Sequence, residues 1–140
     1  MEWNKPGIYR FPKFEDPRGN LTFAQAPELI PYKIERVYWL YDVPSDAERG
    51  GHAHRSNHET LIALAGSFSV ELYDGFSTKR FTLNRPYQGL YIPAGIWRRL
   101  DDFASGSVCL VIASETYCAK EYIRDFEEFK EIAQKRGPQL

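Results

Sequence analysis

From Ser67 to Leu83 the chain reads SFSVELYDGFSTKRFTL, two alternating segments on either side of Asp74-Gly75. Alternation puts every second side chain on one face of a strand, and an Asp-Gly pair tolerates the positive φ of a tight reversal. The stretch predicts a β-hairpin. IERVYWLYDV (34–43) is dense in the β-branched and aromatic residues that suit a half-buried pleated surface. GLYIPAGIWRRL (89–100) reads as strand, Pro-Ala-Gly turn and strand, and GSVCLVIAS (106–114) as a short run of sandwich-core type. Many short strands separated by turns predict an all-β sandwich or small barrel.

The C-terminal segment follows a different period. In EYIRDFEEFKEIAQKRGPQL, Tyr122, Phe126, Phe129 and Ala133 recur at helical spacing with charges between them, and Gly137-Pro138 supplies a stop. This predicts one amphipathic helix over about 119–135, its aromatics packing on the β core of about 8–118. With 140 residues, the whole chain 1–140 is expected to form a single domain.

Charge narrows the partners. There are 18 basic and 19 acidic side chains, a net charge of −1. That balance argues against a nucleic-acid binder working by charge alone, while leaving room for a local basic pocket. MEWNKPGIYRF lacks the apolar core of a signal peptide, and no apolar run reaches membrane-spanning length. Cys109 lies in an apolar run and is expected to be buried, with no disulfide to Cys118. A cytoplasmic, reducing setting without a membrane is the expectation.

GGHAHRSNHETLIALAG (50–66) holds all three histidines of the chain. On a strand, His52 and His54 project from the same face, while His58 alternates away from Glu59 and is expected to play an ordinary structural part. Histidine is the side chain best suited to move protons near neutrality. The spacing H-x-H-x4-E-x6-G resembles the first motif of the cupin superfamily. PAGIWR (93–98) stands where the second motif, P-x-G-x-x-H, is expected, and it places Arg98 at the position of a fourth metal ligand. A guanidinium offers no lone pair and repels a divalent cation. Two imidazoles and a carboxylate still match a facial triad for iron. The alternatives at this point are metal-free acid–base chemistry, which is favoured, and a metal-dependent cupin oxygenase or isomerase using His52, His54 and Glu59.

DPRGNL (16–21), ERVYWLYDV (35–43), ERGGHAHRSNHETLIALAGS (48–67), YDGFSTKRFTLNRPYQGLYIPAGIWRRLDDF (73–103) and VCLVIASETYCAKEYIRDFEEF (108–129) together resemble the sugar 3,4-ketoisomerases. The resemblance covers nearly the whole chain in order. It implies a jelly-roll cupin that moves the ketone of a dTDP-linked 4-keto-6-deoxyglucose from C4 to C3 through an enediol, without metal or other cofactor. It also implies a homodimer with exchanged N-terminal strands. By motif position, His52 and His54 are the acid–base pair and Tyr38 lies near the sugar. Arg36, Arg49, Arg98 and Arg18 are the substrate-binding candidates. Members differ at Arg98 and Arg18, so these two bear on the C4 configuration of the product. An aminotransferase acting on the new ketone, toward surface polysaccharide sugars, is what the family suggests next. The rivals within the fold are a 3,5-epimerase and a non-catalytic sugar-binding cupin.

Overall fold

A computed structural model describes residues 5–140, so the first four residues of the MEWNKPGIYRF stretch lie outside it. The strands are β1 (Gly7–Arg10), β2 (Lys13–Asp16), β3 (Gly19–Thr22), β4 (Arg36–Leu40), β5 (Arg49–His54), β6 (Glu59–Ala65), β7 (Phe68–Tyr73), β8 (Thr78–Leu83), β9 (Gln88–Ile92), β10 (Trp97–Asp101), β11 (Val108–Ala113) and β12 (Tyr122–Ile123). One helix, α1 (Phe126–Arg136), follows them. Two five-stranded sheets form, ordered β1-β9-β6-β11-β4 and β12-β5-β10-β7-β8, with β2-β3 as a separate hairpin. Among the described residues no helix is long and apolar enough to cross a membrane.

The core fills the space between the two sheets. Leu61, Ala63, Val70, Leu72, Leu90, Ile92, Leu100, Cys109 and Val111 meet there, all buried. They are the alternate residues of their strands, as a period of two demands. The intervening residues cover the outer faces. Ile62 and Ile112 pack under Phe11 and Ile30, while Ala53 packs under Phe129 and Ala133 of α1. Each sheet is therefore apolar on both sides at its centre, and the all-β sandwich with a C-terminal helix follows from the pattern.

Two boundaries differ from those expected. The β7–β8 reversal is a four-residue loop, since Tyr73 pairs with Thr78. Only Gly75 takes positive φ there, at 96°, and Asp74 instead accepts hydrogen bonds from the backbone N–H of Phe76 and Ser77. Aspartate closes the turn with its side chain, which a tight two-residue reversal would not require. Gly75 has a second constraint: a Cβ there would come within 2.5 Å of Ala133 Cβ on α1.

The helix begins at Phe126, later than 119. Asp125 caps it by accepting from the Glu127 N–H, and Glu127 and Glu128 occupy its first turn. Before it, Ala119–Glu121 form one 3-10 turn, and Tyr122 and Ile123 pair with His54 and Ala53 as an edge strand. Tyr122 thus leaves the helical set and enters the sheet that carries the histidines. Gly137 ends the helix as expected. Both cysteines are free, Cys109 buried and Cys118 exposed.

Candidate active site

Strand β4 alternates cleanly. Arg36, Tyr38 and Leu40 face inward, and Val37 and Trp39 face outward. Strand β5 brings Arg49 and His52 to the same space. Tyr117, Tyr122 and Arg124 close it from the C-terminal segment, forming a cavity of about 530 Å³. Three arginines and one glutamate, Glu48, line it, so a neutral protein presents a locally basic site. The Nε of Arg36 is buried without a hydrogen-bond partner among the described residues.

His52 and His54 share a face, with their Nε2 atoms 3.2 Å apart. Tyr122 lies against both rings, at centroid distances of 4.9 and 4.6 Å. Their exposures separate them: His52 is 9% exposed and lines the cavity, whereas His54 is 0% exposed and sits behind it. Burial, then the neighbouring Arg98 and His54, push the His52 pKa down to about 3, which keeps that imidazole neutral.

Beneath the pair lies Glu59, 1% exposed. One oxygen accepts from Arg98 Nη1 at 2.6 Å and lies 3.4 Å from His54 Nε2. The other accepts from the Tyr38 hydroxyl at 2.8 Å and from Asn57 at 3.3 Å. Burial alone would raise the Glu59 pKa, but His54, Arg98 and Tyr38 outweigh it and hold it at about 2. Burial and the Glu59 charge push the Tyr38 phenol upward in turn.

The residues of the metal-dependent alternative do converge, with ligand atoms of His52, His54 and Glu59 within 4.8 Å of one another. A cation does not fit it well. Both carboxylate oxygens are already engaged, and one of their partners is a buried guanidinium.

The substrate-binding expectations divide. Arg36 and Arg49 reach the cavity. Arg98 does not: its guanidinium is 2% exposed and committed to Glu59 and to the Ile96 carbonyl. The buried carboxylate requires a counter-charge, and Arg98, directly across from His52 on β10, supplies it. Arg18 sits in the β2–β3 hairpin, its side chain 90% exposed and paired with Asp16, and the cavity lining does not include it. His58 lies just before β6 and outside the cavity lining, its Nδ1 2.7 Å from the Tyr91 hydroxyl.

Sequence reading missed the C-terminal contributors Tyr117, Glu121, Tyr122 and Arg124. Glu121 places both carboxylate oxygens 2.9 Å from His54 Nδ1, across 67 positions of sequence. The one local signal was Asp125, whose capping role would have freed the preceding residues from the helix.

The chain is similar to several known proteins. A TDP-4-oxo-6-deoxy-α-D-glucose-3,4-oxoisomerase from Aneurinibacillus thermoaerophilus is 37% identical over 128 residues, covering 91% of this chain and 92% of the relative. A histidine-to-asparagine mutant of the 3,4-ketoisomerase QdtA from Thermoanaerobacterium thermosaccharolyticum, solved with TDP-4-keto-6-deoxyglucose, superposes with a TM-score of 0.92. It is 38% identical, with 97% of this chain and 98% of that chain covered. A 3,4-ketoisomerase from Helicobacter canadensis is 39% identical with a TM-score of 0.90, covering 92% of this chain and 97% of that one. Residues 4–134 match the family described as FdtA: WxcM-like, C-terminal, and the chain belongs to that family of cupin-like sugar ketoisomerases.

Proposed function

We propose that this enzyme is a TDP-sugar 3,4-ketoisomerase that converts TDP-4-keto-6-deoxyglucose into the 3-keto isomer. One observation carries the reading: His52, held neutral and backed by the buried His54, closes the floor of a cavity whose walls carry Arg36, Arg49 and Arg124. Arginines neutralise a diphosphate with directed, charge-assisted hydrogen bonds. Tyr117, 62% exposed at the rim, offers a ring face to the nucleotide base.

The chemistry balances without a redox partner. A base takes the proton from C3, and the electron pair moves through the new C3–C4 double bond onto the C4 oxygen. Return of that proton at C4 and transfer of the O3 proton to O4 then leave a ketone at C3 and a hydroxyl at C4. His52 has the accessible position and the neutral state for the carbon proton. A positioned general base contributes about 10² to 10⁴-fold. Tyr38, fixed by Glu59, borders the space where the oxyanion develops.

A homodimer with exchanged N-terminal strands belongs to the same reading. The β2–β3 hairpin joins neither sheet and exposes Phe14 and Leu21 at 57% and 59%. The edge strand β4 turns Val37 and Trp39 outward. A partner's hairpin on that edge would cover both apolar sets and carry Arg18 toward a cavity that its own chain does not let it line. A cytoplasmic setting, consistent with two free cysteines, and a role supplying a 3-keto sugar for surface polysaccharide synthesis complete the proposal.

Proton NMR of the enzyme with TDP-4-keto-6-deoxyglucose in D₂O tests it. The expected result is a 3-keto sugar with deuterium at C4. A bound sugar that keeps its hydrogens and its 4-ketone would instead identify a non-catalytic binding protein.

A further inference from the structure

The two histidines are not equivalent, and Glu121 makes the difference. We infer that Glu121 is a positioning residue that pins the proton of His54 on Nδ1, so that His54 serves as a buried relay behind His52 and not as a second residue touching the sugar. The inference rests on the ketoisomerase reading and deepens it.

The geometry is specific. His54 is wholly buried, and both Glu121 oxygens stand 2.9 Å from its Nδ1. Glu121 is itself held in place: the Asn57 N–H donates to Oε1 at 2.9 Å and the Arg55 N–H to Oε2 at 3.3 Å. The Arg55 N–H also lies 2.9 Å from the Glu121 carbonyl, and Tyr122 continues as a strand paired with His54. A carboxylate has no proton to give, so His54 Nδ1 must donate. The opposite ring nitrogen, Nε2, then faces His52 Nε2 at 3.2 Å and Glu59 at 3.4 Å. With Nδ1 protonated, this Nε2 is free to accept a proton from His52. The resulting imidazolium would lie between the Glu121 and Glu59 carboxylates. A proton taken from C3 by His52 thus has a buried holding position one hydrogen bond away, and returns by the same route to C4. A histidine whose ring orientation and tautomer are set by a carboxylate loses much of its power when that carboxylate is neutralised.

The test combines histidine ¹⁵N NMR of the wild-type chain at pH 8 with kinetics of Glu121→Gln. The spectrum should show His54 protonated on Nδ1 with Nε2 bare. A His54 protonated on Nε2 alone, or on both nitrogens, overturns the inference, whether or not any variant folds. Folded Glu121→Gln should lose about a hundredfold in kcat with KM within threefold. A kcat within twofold of wild type, or a loss confined to KM, would overturn it equally. Glu121→Asp, which keeps the charge, should recover part of the loss. If wild type fails to turn over TDP-4-keto-6-deoxyglucose, the ketoisomerase reading fails, while the tautomer measurement still decides the placement of the proton.

Discussion

Arg98 Nη1 lies 2.6 Å from Glu59 Oε1, and both side chains are 2% exposed. A buried ion pair of this kind contributes little over an apolar pair, yet losing one partner strands the other charge in the interior. Arg98→Met is therefore expected to destabilise the fold by about 3–5 kcal/mol. Urea unfolding of both proteins measures it; a loss below about 1 kcal/mol would mean that Glu59 is protonated or solvated when Arg98 is gone.

The same pair governs metal dependence. Tyr38 and Asn57 hold one Glu59 oxygen and Arg98 the other, so no oxygen is left for a cation without breaking a buried contact. Prolonged EDTA treatment should leave the isomerisation rate unchanged. Activity lost to the chelator and restored by iron or zinc would revive the metal-dependent alternative.

Much of the site was legible in the sequence because its chemistry is local. His52 and His54 share a face through a period of two, and Arg36 and Tyr38 do so on β4. Arg98 was legible as a departure from a ligand position, but its task was not. Whether a guanidinium meets substrate or neutralises a buried carboxylate depends on Glu59, 39 positions away. Glu121 left no pattern at all, since a residue in a 3-10 turn gains its meaning only when β12 pairs with β5. Tyr122 was actively misleading. Its spacing to Phe126 fits a helix, and only the Asp125 cap, together with pairing to His54, puts it in the sheet.

Acid should unfold this protein earlier than its composition suggests. The His52 pKa falls from its ordinary 6.5 to about 3 in the folded state, so below pH 6.5 the unfolded chain takes up a proton that the folded chain refuses. Stability consequently decreases as pH falls through that window, by up to about 1.4 kcal/mol per pH unit. Glu59, folded at about 2 against an ordinary 4.5, acts in the same direction and steepens the loss below pH 4.5. Urea midpoints of wild type and His52→Gln between pH 7 and 4.5 give the measurement. The variant should show the flatter dependence, and equal slopes would remove His52 as the cause.

His52→Asn and His54→Asn should each reduce turnover at least a hundredfold, in the range of about 10² to 10⁴ typical of a lost acid or base. Asparagine keeps a polar side chain at both positions, so thermal melts should confirm a folded protein. Near-normal turnover in either variant would strip that histidine of its part in the proton path.

Arg18 is tested by mixing subunits. Its side chain is 90% exposed and the cavity of its own chain excludes it, so in the dimer proposed above it would serve the partner's site. Arg18→Ala and His52→Asn homodimers should both be impaired. A co-expressed heterodimer of the two contains one site with an intact His52 from one subunit and an intact Arg18 from the other. That site should regain close to wild-type turnover, giving the heterodimer about half the activity per mole of dimer. If Arg18 served its own chain, neither site of the heterodimer would be complete and no recovery would appear. Equal activity of Arg18→Ala and wild type would place Arg18 outside the reaction altogether.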